Sequence, residues 1–468
     1  MRSRISSAAL LAALTLVVAA LPAAADHGSR EHTKNLRALG HSPQPATFEV
    51  PDGERLVNSD IAFQGRLAFH GNYNGFRVID ISSPHKPRLI AHPECNGDQG
   101  DIVVFKHILV RSWNSPAPEG RTCAGEPVPT GFEGVHIFDI SRPSRPKLLG
   151  AVELECGSHT ATAAGVDDSD LIVYSNNSSS TGCAQEEGNP QERDDPLGDF
   201  MDVIAVPLRD PGSARLIHRE ELAGPETDIR TGCHDVGVIL GDVDKAACAS
   251  ADTINVWDIS DARDPEPLFT ITEPGVGQAG TDGRWHSAAF TWDGEVVIGG
   301  WEPGGGAGAR CQETGTDLGD GLVQTDEMKT MFFYDADTGA KLGEWTLPRV
   351  QGADENCTIH NYNVVPLRSG RYVAVSGNYQ AGTWVTDFTD PAKPRAVAWS
   401  DPASLGPGSA CGGLCTIGGA WSTYWYNGRI YESDITTGLN IFRLRDRVTR
   451  GAIRLPRLNP QTQQFSLR

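Results

Sequence analysis

Apolar residues fall in short runs of four or five, bounded by turn formers, as in Leu171-Ile-Val-Tyr, Glu295-Val-Val-Ile and Arg371-Tyr-Val-Ala-Val. No stretch of useful length carries a helical period, so the pattern predicts many short β-strands. The 52 Gly and 30 Pro supply the turns that such a chain needs. One strand-turn phrase recurs. It reads Gly75-Phe-Arg-Val-Ile-Asp80-Ile-Ser-Ser-Pro, then Gly134-Val-His-Ile-Phe-Asp139-Ile-Ser-Arg-Pro, Ile254-Asn-Val-Trp-Asp258-Ile-Ser, Met331-Phe-Phe-Tyr-Asp335 and Thr383-Trp-Val-Thr-Asp387. Two weaker copies place Ala205 and Arg443 where the others have Asp. Successive copies lie 52 to 77 residues apart, room for four strands and their turns. Repeated four-stranded units predict an all-β fold, a seven-bladed β-propeller whose closed ring removes exposed sheet edges.

The expected organisation is a signal peptide over 1–25, a flexible segment over 26–45, the propeller over 46–450 and a tail over 451–468. Thr47-Phe-Glu-Val is the expected outer strand that locks the last blade. The signal rests on Arg2 and Arg4, the apolar run Ala8–Ala20 and Ala23-Ala-Ala25. That run is too short to span a bilayer, so the expectation is a secreted or extracytoplasmic protein with no membrane span. Ten cysteines, all after the cleavage point, suit an oxidising compartment. No C-x-x-C occurs, and the expected pairing is sequence-adjacent: 95–123, 156–183, 233–248, 311–357 and 411–415. Lys+Arg 40 against Asp+Glu 60 leaves a formal charge of −20, which repels phosphate backbones and excludes a nucleic-acid partner.

In a propeller the innermost strands face the axis, and equivalent positions form a ring. Stepping back from each marker gives inner strands that begin at Asp60, Asp101, His159, His234, His286, His360 and Trp421-Ser422. Four histidines in four consecutive units converge on one axis, as ligands for a transition metal such as Cu, Fe or Zn would. Asp60, Asp101 and Asp235 are candidates to orient those ligands or to act as a base. The competing account is a polar ring that bonds neighbouring blades and channel water. Cys156, Cys233 and Cys357 lie just before ring histidines, where disulfides would stiffen the mouth. Trp285, Tyr362 and Trp421 flank the ring as pocket walls or as packing between blades. His70, in the parallel phrases Ala68-Phe-His70-Gly-Asn-Tyr and Val375-Ser376-Gly-Asn-Tyr, is offset and a weaker candidate.

The phrase G-x-x-[IV]-[FWI]-D-[IV]-S-x-P-x-x-P resembles the LVIVD repeat family of exported proteins, best over Gly75–Pro87 and Val135–Pro146. That resemblance implies a propeller and no particular reaction. The ring of His159, His234, His286 and His360 is similar in architecture to that of the selenium-binding-protein and methanethiol-oxidase family, propellers with channel histidines and a copper-dependent oxidase activity, but no continuous motif matches, so substrate and reaction do not carry over. Tyr334-Asp335-Ala-Asp337-Thr338-Gly339…Trp345 looks like the D-x-x-T-G…W motif of quinoprotein dehydrogenases but occurs once, so a quinone is not expected. The run Gly304-Gly-Gly-Ala-Gly308 lacks the Lys-Ser/Thr of a phosphate loop, so no nucleotide is expected. The leading expectation is a metal-dependent oxidoreductase or hydrolase acting on a small molecule. The alternative is a non-catalytic propeller that grips an extracellular protein or glycan.

Overall fold

The computed structural model describes residues 30–44, 57–167, 169–177, 200–223, 232–250, 252–276, 283–306, 308–319, 321–352, 355–368, 370–402 and 418–464. The expected signal peptide, the Thr47-Phe-Glu-Val strand, Cys183, Cys411 and Cys415 lie outside them. The repeat phrase owes its shape to hydrogen bonding. Five of the marker strands end in an Asp whose carboxylate accepts a backbone N–H two or three residues on, forming an Asx turn. Asp80 takes Ser82 at 3.0 Å, Asp139 takes Ser141 at 2.8 Å, Asp258 takes Ser260 at 2.8 Å and Asp335 takes Thr338 at 2.8 Å. The hydroxyls of Ser82, Ser260 and Thr338 foremost, with these N–H bonds, hold Asp80, Asp258 and Asp335 below the usual carboxyl range, and the Ser141 N–H foremost does so for Asp139. A tight turn follows, from Lys86 N–H to Ser83 O and from Arg145 N–H to Arg142 O, and throws the chain into the outer strand.

The result is a β-propeller. Five separate sheets run from inner to outer strand in chain order. The first holds Asn58–Gln64, Leu67–Asn72, Gly75–Asp80 and Arg88–Ala91. The others have inner strands Ile102–Phe105, Thr160–Val166, Asp235–Leu240 and Arg284–Phe290. A nine-stranded sheet completes the ring and is continuous through one parallel contact, Asn361 opposite Ser422, between the strands Asn361–Val364 and Ala420–Tyr426. The core is laminar, with apolar faces of successive sheets packed on each other. Phe69, Phe76, Val104, Trp113 and Phe138 fill one layer, and Ile254, Val256, Trp285 and Phe332 fill another. Among the described residues no helix is long and apolar enough to cross a membrane.

Both chain ends depart from expectation. The segment 26–45, expected to be flexible, contains Leu36–Pro43, which pairs antiparallel with Gly438–Leu444, Leu36 opposite Leu444 and Pro43 opposite Gly438. This strand supplies the outer edge expected of Thr47-Phe-Glu-Val. Its alternation of buried Leu36, Ala38 and Leu39 with exposed Arg37 and His41 suits a half-covered edge. Glu31–His32 pairs in turn with Arg395–Asp401, and Arg30 bridges Glu432 and Asp434 at 2.8 Å each. The tail is not outside the propeller either. Arg457–Leu458 pairs with the inner strand Asn58–Gln64, and Thr462–Gln464 runs parallel to Asp235–Leu240. These two short strands fill one end of the channel.

Candidate metal centre

The four histidines stand where inner strands begin, at the channel end opposite the C-terminal plug. Backbone pairing to the second strand fixes three of them: His159 N–H to Asn176 O at 2.6 Å, His234 N–H to Ala249 O at 2.7 Å and His360 N–H to Gly377 O at 3.1 Å. His286 sits at a register shift between Trp285 and Ser287, which frees it from the ladder. Hydroxyls tie the units together around the axis. Ser112 Oγ donates to His159 O, Thr160 Oγ1 to His234 O and Ser287 Oγ to His360 O.

Convergence follows from that scaffold. Ring centroids are 4.3 Å apart for His159–His234, 3.9 Å for His234–His286 and 4.0 Å for His286–His360. Glu302, at the end of the strand Val296–Glu302, enters the cluster. Its Oε2 lies 3.9 Å from His234 Nε2 and its Oε1 lies 3.8 Å from His360 Nε2. One ligand atom each from His234, His286 and Glu302 lie within 4.8 Å of one another. Two donors each about 2.0–2.2 Å from one ion stand roughly 3.3–4.4 Å apart, depending on the angle, so the His–Glu distances fit a shared ion.

Electrostatics agree with that fit. Burial pushes His159 and His360 down to about 3, and burial with the neighbouring imidazoles holds His234 and His286 well below the usual value. All four are neutral bases at physiological pH. His360 Nδ1 donates to Trp421 O, which leaves Nε2 with its lone pair toward Glu302. The Nδ1 atoms of His159, His234 and His286 are buried without a partner. Burial raises the Glu302 carboxyl, and Arg284 and the Tyr379 hydroxyl oppose the rise. Tyr379 donates to Glu302 Oε1 at 2.8 Å and lies 4.3 Å from the His360 ring.

The carboxylates predicted with the ring stand elsewhere. Asp60, Asp101 and Asp235 each accept the N–H of the following residue, at 2.8, 2.7 and 2.8 Å. That shared bond makes the three equivalent to one another. Asp60 and Asp101 are therefore level with Asp235, one residue further along than the histidines, and Ser59, Gly100 and Trp421 take the histidine position in their units. All three are buried with raised carboxyls, through burial first and then mutual repulsion for Asp101 and Asp235. Asp60 also faces Tyr424 and takes Gln461 Nε2 at 2.5 Å. His70 is buried off the axis, bonded to Ser433 Oγ at 2.7 Å and to Arg77. Of the flanking aromatics, Trp285 packs against Phe332 and Tyr334, and Tyr362 ties Ser287 O and Ile298 O. Trp421 alone meets the cluster, 5.0 Å from His360.

Glu302 and Tyr379 were not predicted, yet the repeat contains their signal. The pairings Ser287 opposite Gly300 and Asn361 opposite Gly377 make those glycines equivalent, so Glu302 and Tyr379 occupy one repeat position. Aligning second strands as well as first strands finds both. The pairs Cys95–Cys123, Cys233–Cys248 and Cys311–Cys357 are disulfides, and Cys156 is bonded as well. A second compact grouping, Cys95, Cys123 and His136, has its sulfurs spent in the first of these bonds.

Residues 58–92 match the LVIVD repeat family. No curated protein matches the chain. Among solved structures, the crystal structure of Saccharomyces cerevisiae Sqt1 aligns at 12% identity over 85% of this chain and 83% of that one, with a TM-score of 0.49. The computationally designed Ika8 protein aligns at 13% identity over 87% and 99%, with a TM-score of 0.42. The chain is a β-propeller that carries an LVIVD repeat.

Proposed function

We propose that this chain is an extracytoplasmic seven-bladed propeller that binds one transition-metal ion among His159, His234, His286, His360 and Glu302. The observation that carries the reading is the mutual approach of His234, His286 and Glu302 ligand atoms within 4.8 Å, at the channel end opposite the C-terminal strands. The Glu302 carboxylate oxygens, 3.9 Å from His234 Nε2 and 3.8 Å from His360 Nε2, support it, a spacing that two donors to one ion share. Nitrogen donors with one carboxylate suit Cu, Fe or Zn rather than Ca or Mg. Seven blades follow if the nine-stranded sheet is two blades joined at Asn361 and Ser422, for one side of that contact then holds four antiparallel strands and the other holds four with Glu31–His32 added at its edge. Three disulfides among the described residues favour an oxidising compartment and hence export.

A metal there supplies Lewis-acid or redox chemistry to a small molecule at the channel mouth. The chain's own part is to hold neutral imidazoles close together, with the His360 tautomer fixed by Trp421 O, and to present one carboxylate. Elemental analysis of untagged protein, before and after incubation with Cu²⁺, Fe²⁺ or Zn²⁺, tests the reading. Near-stoichiometric metal in the native protein, lost from His234→Ala with His286→Ala while the fold is kept, is the expected result. A protein that neither contains nor takes up metal overturns it.

A further inference from the structure

Tyr379 holds a left-handed backbone conformation, φ 44°, that an aromatic residue rarely adopts. The surrounding fold over-determines that conformation. Its N–H and C=O form a reciprocal pair with Ala420, both at 2.9 Å. Two glycines leave room for it: a Cβ on Gly306 would stand 2.6 Å from the Tyr379 hydroxyl and 2.9 Å from Glu302 Oε1, and one on Gly419 would stand 2.2 Å from Tyr379 O. A residue kept in a costly conformation beside a candidate site has its strain paid by neighbouring structure, and the usual beneficiary is the geometry of the site. Here the beneficiary is the bond from the Tyr379 hydroxyl to Glu302 Oε1.

We propose that Tyr379 is a positioning residue for the metal, occupying one lone pair of Glu302 Oε1 so that the carboxylate is locked between His234 Nε2 and His360 Nε2. This rests on the metal reading given above. The same ring, 4.3 Å from His360, limits rotation of that imidazole, while Trp421 O fixes its tautomer from the other side. Two ligands from different units are thereby set by one residue. Outer hydrogen bonds of this kind are worth about 10–100-fold in metal affinity.

The test is Co²⁺ titration of the metal-free full-length chain, followed by visible absorption and calorimetry, for wild type, Tyr379→Phe, Glu302→Gln and the double variant. Phe keeps the ring and loses the hydroxyl. The expected result is about 10–100-fold weaker Co²⁺ binding by Tyr379→Phe with a shifted d–d spectrum, and no further loss when the change is made on Glu302→Gln. Wild-type affinity and spectrum in Tyr379→Phe overturn the proposal alone. So does an equal loss in both backgrounds, which marks a structural role. Failure of the wild type to bind Co²⁺ overturns both this proposal and the metal reading.

Discussion

Gln461 reaches across the channel from the C-terminal segment and donates its side-chain amide to Asp60, a residue 401 positions earlier, at 2.5 Å. The bond joins the filler of one channel end to the carboxylate layer beneath the histidines. Its neighbours act likewise: Asn459 exchanges two bonds with the backbone of Val104, and Thr462 Oγ1 donates to Ala163 O at 2.7 Å. The plug thus satisfies inner-strand groups from several blades. Four buried polar contacts of that kind make it part of the folded unit.

Gln461→Ala therefore leaves the buried Asp60 carboxyl short of a donor. A loss of about 1–3 kcal/mol is expected, the cost of an unsatisfied buried group. Urea denaturation reads it directly. The carboxyl, already raised by burial, should rise further in the variant. A midpoint equal to wild type would mean that water replaces the amide without penalty.

Arg30 is the cationic partner of two buried acids, with Glu432 fully buried and Asp434 nearly so. Replacing it with Ala removes that partner and costs about 3 kcal/mol, in the range for breaking a buried pair. Adding Glu432→Gln should restore part of the loss, because one uncompensated charge is then gone. Thermal midpoints of the single and double variants check this. A double variant less stable than Arg30→Ala would place the energetics of the strap elsewhere, in its pairing with Arg395–Asp401.

His92 and His136 are both pushed down to about 3, His136 by burial and the Arg111 guanidinium, His92 by burial with Arg77 and Arg111. Their unfolded value is near 6.5. Between these limits the unfolded chain binds more protons, so stability is complete above about 6.5 and declines as pH falls toward 3. Each such proton contributes a slope of about 1.4 kcal/mol per pH unit. His136 is packed beside Trp113 and Phe132, so Phe is a reasonable substitute. Urea midpoints of metal-free protein from pH 6.5 to 4.5 should fall less steeply in His136→Phe. An unchanged slope would show that His136 takes up no extra proton on unfolding.

Much of this structure was legible because the repeat carries its own physics. The Asp that ends five of the marker strands is an Asx-turn acceptor, and the Gly that opens the phrases at 75 and 134 is a close approach, so the phrase marks a blade. The histidines were legible for the same reason, as one position repeated four times. What misled was register. A period of two lets Asp60 and Asp101 pass for equivalents of His159 when they are one residue further on, and only the hydrogen bond to the next N–H tells the layers apart. The chain ends were illegible because their strands are single copies, with no repeat to mark them. Leu36–Pro43 pairs with a partner some 400 residues away, and no local pattern encodes that choice. Glu302 was hidden by chemistry, since its equivalent in the next unit is a tyrosine.

The close approach at the start of the repeat yields the last prediction. Gly134 and Gly131 both have positive φ, 139° and 84°. A Cβ on Gly131 meets nothing, whereas one on Gly134 would stand 2.1 Å from Val152 O in the adjacent strand. Gly131→Ala should therefore cost only the backbone strain, about 1–2 kcal/mol. Gly134→Ala must also push two paired strands apart, for which more than about 3 kcal/mol is expected. Urea denaturation of the two variants compares them. Equal losses would mean that the glycine opening the phrase is kept for its φ alone, and the tight seating of the marker strand against the outer strand would lose its role in the repeat.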